Sequence, residues 1–214
     1  MLSYLFTNPA SFVIWILALL TAITVHEFAH AWAADELGDP TPRLMGRLTL
    51  NPLAHLDPLG TLMLLLVRFG WGKPVVFDPY NLRNPKKDSA LISLAGPASN
   101  IILALALSVF YRSVFTPLSP FYMFSQLLLP FIFLNVSLAV FNLIQIHPLD
   151  GGIILVGLLP NKDAAAVDGF LNHYGIILLF FLIVPIGGTS LLLNLISPII
   201  NFILSLLIPG TSLI

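Results

Sequence analysis

Residues 10–34 read ASFVIWILALLTAITVHEFAHAWAA, apolar as far as Thr24 and then interrupted by His26, Glu27 and His30 with no proline or glycine to stop a helix. A spanning helix needs about 20 predominantly apolar residues, so one is expected over about Ala10 to Ala34, with the ionisable residues inside it. The rest of the chain suits the same solvent. Of its 214 residues 57% are apolar and 9% charged, against about a quarter charged in soluble domains. The expected fold is all-α, a polytopic transmembrane helix bundle in the cell membrane. It forms one domain over residues 1–214, with a core at about 10–160 and C-terminal helices at about 174–208. Met1 to Pro9 lacks the positively charged region of a signal peptide and is expected to be retained.

Outward from that helix the composition alternates. Residues 35–58 turn to Gly, Pro, Asn and charge, which marks a connection outside the hydrocarbon. Leu59 to Val67 is apolar but about half the length of a span, so a re-entrant or interfacial segment is expected. Between Gly70 and Leu82, Val75, Val76 and Phe77 form a short β-prone run bounded by turn residues, which fits a small strand or β-hairpin. A second span is expected at about Asp88 to Tyr111 and a third at about Gln126 to Ile146, broken by Pro148 and by Gly151 and Gly152 beside Asp150. The last apolar region, Tyr174 to Ile208, is interrupted near Pro185, Gly187 and Gly188, which leaves open one kinked helix or two shorter ones.

Charge and cysteine content remove several functions. The formal net charge is −1, and the basic residues form no stripe with interleaved aromatics, so nucleic acid is not an expected partner. With no cysteine, disulfides, thiol nucleophiles and thiolate metal sites are excluded, leaving His and carboxylate as ligands. Arg43, Arg47, Arg68, Lys73, Arg83, Lys86 and Lys87, seven of the nine basic residues, lie between the first and second spans. Cytoplasmic loops carry such an excess, so that connection is expected inside, the N-terminus outside, and His26, His30 and Asp150 toward the cytoplasmic face.

Residues four apart on a helix share a face, so His26 and His30 can offer two imidazole nitrogens to one metal with Glu27 beside them, the H-E-x-x-H arrangement. Ionisable groups in hydrocarbon are costly, and a catalytic zinc explains this cluster better than mutual pairing does. Zinc keeps three protein ligands and an open position and lowers the pKa of its water from about 15.7 to about 7. Glu27 would be the general base. Asp150 is the leading third ligand, and His147, three residues earlier, is its rival.

His26-Glu27-Phe28-Ala29-His30 in a first membrane helix, with Asn142 through Leu149-Asp150-Gly151 in a later one, resembles the site-2 protease family of intramembrane metalloproteases. Gly96-Pro97-Ala98-Ser99-Asn100 and the segment from Asn51 to Gly60 resemble parts of its short prokaryotic members, so the likeness covers roughly residues 20–152. The resemblance implies one Zn2+ per chain, Asp150 as third ligand, and transmembrane protein or peptide substrates cut near the cytoplasmic side of the bilayer. It implies that Asn142 lies near the site, polarising the substrate carbonyl or fixing the substrate strand. The chain departs from the family at Gln145 and His147, where prolines are usual.

Asn100 lies inside an apolar span and is expected to bond either a neighbouring helix or an oxyanion. His147 is a candidate for substrate contact or for support of a ligand. His55, Asp57, Asp168 and His173 are read as solvated or interfacial residues. The 73–77 run could receive an unwound substrate by edge pairing. Two other functions compete, a membrane metal-ion transporter and a non-catalytic membrane scaffold. Against both stands Glu27 within the histidine pair, which hydrolysis needs and transport does not.

Overall fold

The structure is a computed structural model that describes residues 8–67, 70–114, 125–186 and 188–208. Residues 1–7, Arg68 and Gly187, which entered the sequence reading, lie outside the described residues.

Helix α1 (Pro9–Glu36) begins where the Asn8 side chain accepts the Ser11 amide at 3.0 Å, with Pro9 in the first turn. It continues through His26, Glu27 and His30. It ends at Gly38, whose φ of +107° lets the Asp39 amide turn back to the Ala34 carbonyl at 2.9 Å. A connection follows with a short helix α2 (Thr41–Leu44) and then α3 (Pro58–Val67). At 1.5 Å per residue the ten residues of α3 extend about 15 Å, half of a bilayer core. Helix α4 (Pro85–Val114) is the long central element and packs against α1, α5 (Leu129–Asn142) and α6 (Asp150–Leu158). Helix α7 (Asn161–Ile183) leads into a two-residue hairpin, β1 (Pro185–Ile186) with β2 (Thr189–Ser190), and then α8 (Leu191–Leu207).

One side of α8 is buried at Leu192, Ile196, Ile200, Leu204 and Leu207, steps of three and four that form a single stripe. It meets Ile132, Val136 and Val140 of α5 and Ala104 and Tyr111 of α4 in the main apolar core. Where α6 crosses α4, Gly157 permits the approach, because a Cβ there would fall 2.3 Å from that of Ala90. Facing outward, Ile102, Val109, Phe180 and Phe202 are more than half exposed. Among the described residues three helices, α1, α4 and α7, are long and apolar enough to cross a membrane. Helices of that kind with large apolar side chains on their outer faces make this a membrane protein.

Two expectations of secondary structure change, and an alternative left open is resolved. The third segment stops at Asn142 instead of Ile146, and residues 143–149 are turns closed by bonds such as Leu149 N to Ile146 O (2.9 Å), before the chain re-enters a helix at Asp150. The expected hairpin over 70–82 does not form. Only an isolated bridge joins Gly72 to Leu56, because the Lys73 amide goes to the His55 carbonyl and the Val75 amide to a carboxylate. The hairpin lies instead at 185–190, where it divides the last apolar region into two helices.

The connection is held by buried polar knots. Arg47 donates to the carbonyls of Ala54 and Lys73, and Nε2 of the buried His55 donates to Thr49 O at 2.8 Å. The fully buried Asp39 accepts from the Thr41 amide and hydroxyl, from Asn81 Nδ2 and from the Asp78 amide at 2.6–3.0 Å. Burial alone would raise the pKa of this carboxyl, but those hydrogen bonds outweigh it and hold the pKa below the ordinary value. A lowered pKa contributes stability above the ordinary carboxylate range, and that contribution is lost as pH falls through the folded value. Asp39→Ala should lower the melting temperature in detergent at pH 7, since each donor left unsatisfied costs about 1–3 kcal/mol. The difference from the unaltered chain should shrink as the melting series is carried to acid pH, and a constant difference would contradict this role for Asp39.

Candidate metal centre

The helical period places His26 and His30 one turn apart on the face of α1 that meets α4. Both are buried, with their rings at 88° and centroids 4.6 Å apart. Gly96 of α4 makes room for them, since a Cβ there would lie 2.4 Å from His30 Nε2 and 2.7 Å from His26 Cε1. Each imidazole is oriented through its Nδ1. His30 Nδ1 lies 2.7 Å from the Ile92 carbonyl, which can only accept, so Nδ1 carries the proton. His26 Nδ1 lies 2.6 Å from Asn100 Oδ1. The Asn100 amide nitrogen donates to Ala22 O at 3.0 Å and to Asn135 Oδ1 at 2.8 Å, so its oxygen faces His26. Both histidines therefore point an Nε2 lone pair the same way.

Asp150 completes the group from the first turn of α6. Its Oδ2 is 3.2 Å from His26 Nε2, its Oδ1 is 3.4 Å from His30 Nε2, and the two Nε2 atoms are 3.1 Å apart. A tetrahedron of nitrogen and oxygen donors about 2.0–2.1 Å from zinc has edges of about 3.3 Å. The three separations fit that shape. Asp150 Oδ2 is buried and, despite its nearness to His26, has no partner in hydrogen-bond geometry. Among the described residues this is the one group of three or more such side chains whose donor atoms converge within 4.8 Å. Two imidazole nitrogens and a carboxylate brought this close need a positive charge among them, a proton or a metal cation, and their near-tetrahedral spacing fits a zinc ion.

Glu27 and His26 line an apolar cavity of about 470 Å3 bounded by Ile16 to Ile23 of α1, Leu138 to Asn142 of α5, Leu149 and Leu179, with Gly70 to Gly72 and Pro74 along one side. Glu27 Oε2 accepts the Val75 amide at 3.0 Å, which fixes the carboxylate against the 73–77 run. Asn142 borders the same cavity and donates through Nδ2 to Leu138 O at 3.0 Å. A second hollow of about 590 Å3 opens beside Lys86, His147 and Asp168. There His147 Nε2 pairs with Asp168 Oδ1 at 3.1 Å, so the structure brings Asp150 to the histidine pair and turns His147 to α7. His173 contacts the ring of Tyr174. Sequence reasoning did not single out Asn135; an amide in the apolar run Phe131 to Val140 was the available signal.

No family model and no solved structure matches the chain. Curated relatives do. It is 35% identical over 178 residues to the Bacillus subtilis protein named "Putative zinc metalloprotease YwhC", covering 81% of each chain. It is 31% identical over 179 residues to "Putative zinc metalloprotease Rip2" of Mycolicibacterium smegmatis, covering 81% of this chain and 67% of that one. The Mycobacterium tuberculosis Rip2 is 34% identical over 146 residues, 65% of this chain and 55% of its own. At that identity and coverage the chain belongs to the family of YwhC and Rip2, proteins of site-2 protease type.

Proposed function

We propose that the chain is a single-domain intramembrane zinc metalloprotease that hydrolyses peptide bonds of transmembrane segments near the cytoplasmic side of the bilayer. The observation that carries this reading is the convergence of His26, His30 and Asp150, with His26 and its neighbour Glu27 on the wall of an apolar cavity. His26 and His30 through Nε2 and Asp150 through a carboxylate oxygen would hold one zinc ion. When bound, zinc supplies Lewis acidity to water and to a carbonyl oxygen at neutral pH.

The chain's own residues supply the rest. Glu27 takes a proton from the attacking water as the new C–O bond forms at the scissile carbonyl, then gives it to the amide nitrogen as the C–N bond breaks. The Val75 amide holds Oε2 and leaves Oε1 for that transfer. The apolar cavity receives the side chains of an unwound segment and keeps bulk water from the carbonyl. A helical substrate must unwind before its amides can be attacked, and the 73–77 run would offer backbone on which the opened strand can pair. The seven basic residues between α1 and α4 support a cytoplasmic position for that run and for the site.

Zinc content and cleavage of a model transmembrane substrate, measured side by side in one detergent, test the assignment. Glu27→Gln should keep stoichiometric zinc and lose about 10²-fold or more in turnover, whereas Asp150→Ala should lose zinc. Full turnover by Glu27→Gln would remove Glu27 as the general base, and zinc binding without any cleavage by the unaltered chain would favour transport or scaffolding.

A separate substitution addresses the amide that positions Glu27. Val75→Pro deletes the amide that Glu27 accepts and should impair cleavage with zinc content unchanged; normal cleavage would exclude a role for that amide.

A further inference from the structure

Three fully buried or nearly buried side chains run in series from the metal centre into the bundle. His26 on α1 donates to Asn100 on α4, and Asn100 donates to Asn135 on α5, with Asn100 and Asn135 at 0% exposure. The series ends on backbone, because Asn135 Nδ2 donates to Phe131 O at 2.8 Å. Each amide is thereby fixed in one orientation. Phe131 O takes the nitrogen end of Asn135 and leaves Oδ1 facing Asn100. Asn135 Oδ1 and Ala22 O take both hydrogens of Asn100 and leave its Oδ1 as acceptor for His26. An imidazole with its proton on Nδ1 has its lone pair on Nε2, the atom that faces His30 and Asp150.

We infer that Asn135 is a positioning residue for the metal centre, the anchor of an inter-helix hydrogen-bond relay that acts through Asn100 to hold His26 in its metal-binding tautomer. The inference rests on the zinc reading above. Asn135 touches no metal ligand in this series; it decides which end of the Asn100 amide the ligand meets. Without it, one N–H of Asn100 loses its acceptor in a site closed to water, and the amide can turn or tilt away from His26. The direct partner of a ligand histidine, here Asn100, typically changes metal affinity by 10–100-fold when lost, and Asn135 acts through it.

The test uses the full chain purified in detergent, stripped with a chelator and titrated with zinc against a chromophoric competitor. Asn135→Leu should raise the zinc Kd about tenfold or more. Asn135→Asp should stay near the unaltered chain, because the protonated carboxyl that an apolar site favours keeps both bonds, its O–H donating to Phe131 O and its other oxygen accepting from Asn100, and this variant keeps the question open to measurement should the leucine variant fold poorly. Once Asn100→Leu has been introduced, adding Asn135→Leu should cause no further loss, since the first change has already cut the relay. Unchanged affinity in Asn135→Leu overturns the inference. So do losses that multiply in the double variant, which would mean independent packing effects, and an aspartate variant as weak as the leucine one. Failure of the unaltered chain to bind zinc would strike the metal reading itself and this inference with it, a result distinct from tight binding by the unaltered and Asn135→Leu chains alike.

Discussion

Two imidazole nitrogens and a carboxylate held within 3.4 Å of one another inside an apolar bundle are the constraint on which the rest of the structure depends. In lipid no bulk water screens them, and every polar atom near them must find a partner within the protein. The fold answers with donors and acceptors drawn from separate helices. The Ile92 carbonyl and the Asn100 amide of α4 fix the two rings of α1, and α6 brings Asp150 to the face left open.

Helix α4 therefore serves as more than a span. Its Gly96 gives the rings their space, and its Ala90 accepts the close approach of Gly157 that brings α6, and so Asp150, alongside. The outer helix α8 touches none of the donor atoms but closes the apolar core against α4 and α5. Gly60 and Thr61 of α3 and the stretch from Gly70 to Pro74 wall the cavity. A Cβ on Gly60 would meet the Trp71 carbonyl at 2.1 Å, so this wall is packed directly onto α3.

Much of the centre was legible because the helical period is rigid: His26 and His30 four residues apart must share a face whatever surrounds them. Asp150 was legible as the carboxylate at a broken helix, although the choice over His147 needed the turn at 143–149 to show which side chain reaches α1 and which reaches Asp168. The Asn100 to Asn135 contact was not legible. An asparagine in an apolar run announces that it needs a partner without saying which helix supplies one. Val75 to Phe77 misled for a similar reason. Their β-propensity is real, but the acceptor for the Val75 amide is a side chain 48 residues earlier, and no local pattern encodes it.

The central claim is that the donors of His26, His30 and Asp150 exist to hold zinc. X-ray absorption at the zinc edge on the purified full chain, with metal content measured on the same sample, tests it most directly. The account predicts one zinc per chain in a first shell of nitrogen and oxygen at about 2.0–2.1 Å, with the outer-shell signature of two imidazoles. Protein that holds no zinc yet still cleaves a transmembrane substrate would contradict it.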